Sequence, residues 1–356
     1  MIIIDAHLDI AYNAINHGRS PLISAAESRP LEQPDRERGQ ITVSFPDMQK
    51  GNVGLVWGTL FVTPSHAKIP IMGEKMVYHN ADQAHKYAMK QLDYYRRLAD
   101  DVDYLHLVTD SASLETVLRS HEDNNAAPLL GLVPLMEGAD PIRVPEEAEA
   151  WYGHGLRAIG LAWDDTRYAT GGWSHPDEGM TAEGFRLLEI MADIGFILDL
   201  THMSEKSTIQ ALERYEGVVV ATHSNCRALV PGGRQLSDTQ IRLLGERDGV
   251  IGMALFNAFL QQGWRKGDHK QAVTLDHVVA HIDHICQVLG NARHVGIGSD
   301  MDGGFGREHI PAELDTIADL PKIGQKLLER GYDPEDVTRI MGDNWLRILK
   351  RAFAKN

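Results

Sequence analysis

Residues 1–10 read MIIIDAHLDI, a β-branched apolar run that stops abruptly at Asp5-Ala6-His7-Leu8-Asp9. Side chains alternate along a strand, so His7 and Asp9 emerge on the same side at its end. An imidazole and a carboxylate so placed suit a borderline divalent ion such as zinc. Alone, the pattern is equally a strand end with two polar residues facing water. Its weight comes from recurrence.

Further along the chain, apolar runs of strand length alternate with helical patterns. The strand candidates are 2–5, 53–62, 129–136, 158–163, 196–200, 218–222, 250–255 and 294–298. Each is nearly continuous apolar sequence, as in strands buried on both faces. Between them, Thr181–Ile194, Ser204–Tyr215, Ser237–Glu246 and Asp276–Leu289 carry helical periodicity, with Ser204 a candidate N-cap. Eight strand–helix alternations predict an α/β fold of the (β/α)8 TIM-barrel type, with an open doubly wound sheet as the alternative. The length of 356 residues fits one barrel domain over 1–356. Insertions near 16–47 and 63–78 follow the first two strands, where a barrel has its catalytic mouth; there they would serve as a lid or pocket wall.

Polar residues gather at the strand ends. Leu132–Met136 runs into Glu137, Phe196–Leu200 into Thr201-His202, Val218–Ala221 into Thr222-His223, and Val295–Gly298 into Ser299-Asp300-Met301-Asp302. In a barrel these ends converge in space, so His7, Asp9, Glu137, His202, His223 and Asp300 form one candidate site. The set suits two ions sharing a carboxylate. His277 and His281 imitate a zinc-protease helix, but Val278 stands where the glutamate is required, and both are expected on a solvated face. Cys226 is read as structural.

Composition narrows the function. A formal charge of −15 argues against nucleic acid or an anionic membrane as partner. Two cysteines, Cys226 and Cys286, cannot build a disulfide framework, and no stretch of the sequence is long enough to span a bilayer. A cytoplasmic protein acting on a small-molecule substrate is the expectation, with a homodimer left open.

Taken together, the motifs resemble the membrane (renal) dipeptidases and their bacterial relatives, zinc hydrolases of the amidohydrolase type. The resemblance rests on DAHLD at 5–9, LMEG at 135–138, GMTAEGFRLLEIMADIGFILDLTHMS at 179–204, THSNCRAL at 222–229, HVGIGSDMDG at 294–303 and GDNWLRIL at 342–349. It implies two Zn²⁺ per chain: His7 and Asp9 on one, His202 and His223 on the other, with Glu137 bridging. It also implies that a metal-bridging hydroxide cleaves the amide bond of dipeptides, with Asp300 as proton acceptor and Arg234 holding the substrate carboxylate.

One position departs from the family. Well-studied members carry histidine where this chain has Trp163, a residue thought to contact the tetrahedral intermediate. Indole donates one hydrogen bond but cannot become cationic. Trp163 is therefore expected to form a pocket wall, with Arg167 or Tyr168 as candidate replacement donors. The departure also motivates a second reading, in which the same metal centre acts on a non-peptide amide, a lactone or an N-acyl amino acid. A non-catalytic ligand-binding scaffold is a third, opposed by the intact set of ligands.

Overall fold

The computed structural model describes residues 2–32, 35, 37–67, 75–123 and 127–354. Nine parallel strands form the main sheet among them: β1 Ile3–Leu8, β2 Val53–Phe61, β3 Leu105–Leu107, β4 Leu130–Glu137, β5 Ala158–Gly160, β6 Ile197–Asp199, β7 Val218–Val220, β8 Ile251–Met253 and β9 Val295–Ile297. Their order is β8-β9-β1-β2-β4-β5-β6-β7. The ring closes between β7 and β8, where Ala221 pairs with Ile251 and the amide of Gly252 donates to the Ala221 carbonyl at 2.8 Å. Eight strands form the barrel.

The ninth, β3, was not legible as a strand. It pairs with residues 130–132 of β4, on the edge that β5 occupies higher up at residues 135–137. The three residues of β5 are too few to cover that edge, and Leu105-His106-Leu107 fills the remainder. Several predicted strands are also shorter than expected; those placed at 158–163, 218–222 and 250–255 end at Gly160, Val220 and Met253.

Helices cover the outside. Those that matter here are α1 Ala81–Asp101, α2 Ser111–Glu122, α3 Ala182–Ile194, α4 Glu205–Arg214, α5 Asp238–Glu246, α6 Leu275–Leu289, α7 Pro321–Arg330 and α8 Asn344–Phe353. Thr181, Ser204 and Ser237 cap α3, α4 and α5 by accepting the amides of Gly184, Ser207 and Gln240, each satisfying an otherwise orphaned donor. The expectation for α6 is corrected. His281 is fully buried, its Nδ1 accepting the Cys226 amide at 3.0 Å. It shares the inner stripe with Val278, Ile282 and Ile285, so it is a core residue and not on a solvated face. His277 is half-buried and closes the N-terminus of that helix. Cys226 is buried and structural.

Inside the barrel, Ile4 and Ala6 of β1, Leu55 and Trp57 of β2, and Val133 and Leu135 of β4 pack in one cluster with Trp345 and Ile348 of α8. Trp345 donates its indole N–H to the Ile297 carbonyl at 2.9 Å, and its ring lies 5.4 Å from that of Trp57. Gly342, just ahead of α8, packs on the carbonyl of Ile2, which precedes β1. The last helix therefore closes the N-terminal end of the barrel, leaving the opposite end for the polar residues.

This plug can be tested. Trp345→Ala should lower the free energy of unfolding by about 3–5 kcal/mol, the usual cost of truncating a buried tryptophan. Denaturant titration would read the loss as a lower midpoint.

Candidate metal centre

Glu137, the last residue of β4, stands at the middle of the C-terminal mouth. Its Oε2 faces His7 Nε2 at 3.4 Å, and its Oε1 faces His202 Nε2 at 3.0 Å and His223 Nε2 at 3.5 Å. The two latter nitrogens are themselves 3.0 Å apart. His7, Asp9 and Asp300 form an adjoining group whose ligand atoms lie within 4.8 Å of one another. The six residues gathered by sequence thus converge, all nine-tenths or more buried.

The local backbone is built for this delivery. The register between β1 and β2 slips between Asp5 and Leu8, at the residues that carry His7 into the mouth, the kind of irregularity that re-aims a side chain. His202, Asp300 and Asp302 have positive φ of 68°, 57° and 66°. Such conformations cost roughly 1–3 kcal/mol each outside glycine and concentrate where function requires them. Two buried aspartates staple neighbouring strand ends. Asp5 accepts the amides of His7 and Ser299 and the Ser299 hydroxyl. Asp199 accepts the amides of Thr201 and Thr222 and, at 2.5 Å, the Thr222 hydroxyl.

Charge is crowded here. Burial pushes Asp9 up to about 7, with Glu137 adding to the rise, and burial holds Asp300 well above its ordinary value. Burial would also lower His7, but the carboxylates of Glu137, Asp300 and Asp9 together outweigh it and raise the imidazole to about 9. Burial works against the charge of Glu137 too, yet His7 and His202 hold it below the usual carboxylate range. Burial and the Arg234 guanidinium bring His202 down to about 3, and burial with the charge of His7 depresses His223. His202 and His223 are thus neutral, the form in which imidazole binds metal, and an ion at His7 would take the place of its second proton.

Geometry supports the same fit. Among the described residues, His7 Nε2 is buried without a hydrogen-bond partner. Two donors at ordinary zinc distances around a tetrahedral ion lie about 3.4 Å apart, and the separations of 3.0–3.5 Å among Glu137 Oε1, His202 Nε2 and His223 Nε2 bracket that figure.

Around the cluster lie residues of two kinds. Arg234 is buried, with Nη2 2.8 Å from the His223 carbonyl and 3.4 Å from His202 Nε2, Nη1 3.3 Å from Ser224 Oγ, and Nε without a partner. Half-buried Trp163 lies 5.0 Å from Phe61, 5.9 Å from Trp173 and 6.0 Å from His202, ring to ring. Phe61 and Trp173 escaped sequence reasoning. Arg167 and Tyr168 are not replacement donors: the Arg167 guanidinium donates to the carbonyls of Ile142 and Arg143, and the Tyr168 hydroxyl also to Ile142.

The first insertion reaches the mouth through Asp302. Its carboxylate accepts the amides of Thr42 and Val43 and the Thr42 hydroxyl, and Arg19 Nη1 lies 3.6 Å away. Asn13 Nδ2 donates to the carbonyls of both Asp9 and Asp302. Part of the region 16–47, at residues 33–34 and 36, lies outside the described residues. So does 68–74 of the second insertion, whose flanks pair as Thr63–Pro64 with Val77–Tyr78.

The model of the membrane dipeptidase family, peptidase family M19, matches residues 1–356. The chain belongs to this family. As an M19 peptidase it is a metallo-dipeptidase, a hydrolase whose cofactor is a metal, in this family typically zinc. It is 32% identical over 264 residues to a protein of the pqqA 5′ region of Klebsiella pneumoniae, spanning 72% of this chain and 92% of that one. Over 320 residues it is 26% identical to the dipeptidase aclJ of Aspergillus oryzae, 86% of this chain and 69% of the relative. Among solved structures, the M19 dipeptidase AC superposes with a TM-score of 0.81 at 23% identity, over 99% of both chains. A Rhodobacter sphaeroides metallopeptidase, liganded with a phosphinate mimic of L-Ala-D-Ala, gives 0.81 at 22% identity, also over 99% of both. These two likenesses establish the barrel of this M19 chain. No helix among the described residues is long and apolar enough to cross a membrane.

Proposed function

We propose that this metallo-dipeptidase uses two zinc ions, one held by His7 and Asp9 and the other by His202 and His223, with Glu137 shared between them. The observation that carries the reading is the posture of Glu137, whose two oxygens face different histidine groups at 3.0–3.5 Å. When bound, the ions supply a water acid enough to ionise near neutral pH and polarise the scissile carbonyl.

The chain's own residues do the rest. Asp300, within ligand distance of His7 and Asp9, takes the proton of the attacking water and hands it to the departing amine, the two halves of general base and general acid catalysis. Arg234 pairs with the terminal carboxylate of the substrate. Its unpartnered Nε leaves a donor free, and a planar guanidinium matches a carboxylate in a way that an ammonium does not. Holding that carboxylate next to the cluster restricts substrates to short peptides. Trp163, with Phe61 and Trp173, walls the side of the site next to His202 and excludes water there. On this reading the protein acts on small peptides in the cytoplasm.

Two substitutions divide these roles. Asp300→Asn should keep the fold and bound metal while lowering turnover by about 10²-fold or more, the usual scale for a lost general acid–base group; steady-state kinetics with metal analysis would check both.

Arg234→Lys should weaken kcat/KM for free dipeptides and matter far less for the same dipeptides amidated at the C-terminus. Equal losses on both substrates would mean that no carboxylate is read there, and would favour the non-peptide alternative.

A further inference from the structure

Thr222, at the end of β7, touches three functional side chains with one oxygen. Its Oγ1 lies 2.5 Å from Asp199 Oδ2, 3.1 Å from His7 Nδ1 and 3.1 Å from His223 Nδ1. A hydroxyl has one proton to give and two lone pairs to receive. Asp199 Oδ1 already accepts the amides of Thr201 and Thr222, so this carboxylate acts as an acceptor, and the hydroxyl proton must lie towards Oδ2. Were that proton turned to either histidine, lone pairs would face each other across 2.5 Å. Both lone pairs of Oγ1 are then left for the imidazoles, and each must present an N–H from Nδ1.

We infer that Thr222 is a positioning residue that holds an Nδ1–H on both His7 and His223, and so leaves Nε2 of one histidine from each proposed zinc subsite to face Glu137. The inference rests on the two-zinc reading only for what the Nε2 atoms meet; the Nδ1 protons follow from the hydrogen bonds themselves. A ligand histidine whose second nitrogen is anchored in this way binds metal more tightly. Here a single hydroxyl, backed by Asp199, anchors two of them. Among the described residues the third histidine lacks such an anchor: His202 Nδ1 is buried without a partner there, and its ring is flanked by Trp173 at 5.2 Å.

The backbone around Thr222 holds the arrangement in place. A Cβ on Gly252 would sit 1.9 Å from the Thr222 carbonyl oxygen, and one on Gly298 would sit 1.6 Å from it. Both neighbouring positions therefore need glycine, which lets the strand ends close around residue 222.

The test uses full-length protein, stripped of metal and then titrated with zinc against a chromophoric chelator. Thr222→Val keeps the shape and removes the hydroxyl; it should weaken zinc binding roughly 10- to 100-fold. Thr222→Ser, which restores the hydroxyl, should bind within a few-fold of wild type. Wild-type affinity in Thr222→Val, or an equal loss in Thr222→Ser, would overturn the inference. Should Thr222→Val not fold, nitrogen NMR of wild-type protein labelled with [15N]histidine still decides. In the zinc-free state both His7 and His223 should carry a proton on Nδ1; for neutral His223, a proton on Nε2 in its place would refute the role. A wild-type protein that takes up no zinc would instead defeat the two-zinc reading, and the same spectra would still judge Thr222.

Discussion

The crowding of Asp9, Glu137 and Asp300 against three imidazoles, away from water, is the constraint on which the rest of the mouth depends. Like charges buried together raise one another's proton affinity, and leaving such groups ionised and unpaired costs several kcal/mol. Of the two nearby cationic groups, Arg234 and a protonated His7, neither balances three carboxylates. The site as built is short of positive charge. Divalent cations remove that deficit, and the family's dependence on metal agrees with it.

A barrel solves the delivery problem because its strands end at one place. β1, β4, β6, β7 and β9 each contribute a site residue at or just beyond the strand end, and α8 plugs the other end with Trp345. The division is plain in the packing: apolar side chains fill the lower barrel, and polar ones begin where the strands stop. Asp5 and Asp199 bind adjacent strand ends through backbone amides, so the candidate site residues just beyond those ends are tied back to the sheet. Asp302 extends the same principle outward by tying the first insertion to the segment that bears Asp300.

Most of this was legible in the sequence, for a physical reason. A histidine or acid at the end of an unbroken apolar run is costly unless used, so His7, Glu137, His202, His223 and Asp300 stood out. The helices announced themselves through their periodicity and, for α4, through the cap Ser204. What stayed hidden depends on partners far along the chain: Asp5 meets Ser299, 294 residues away, and Asp199 meets Thr222 across 23. Trp173 and Phe61 join Trp163 only once the barrel brings their loops together. His281 was misread although its signal was present, because the apolar stripe of Val278, Ile282 and Ile285 already includes position 281. The edge strand Leu105–Leu107 is too short for periodicity to reveal.

The central claim is that one carboxylate, Glu137, joins two metal subsites. A crystal structure of the zinc-loaded protein, with anomalous scattering recorded on either side of the zinc absorption edge, addresses it directly. Two peaks per chain are expected, one beside His7 and Asp9 and one beside His202 and His223, each within coordination distance of a different Glu137 oxygen. A single peak, or two peaks of which Glu137 touches only one, would contradict it.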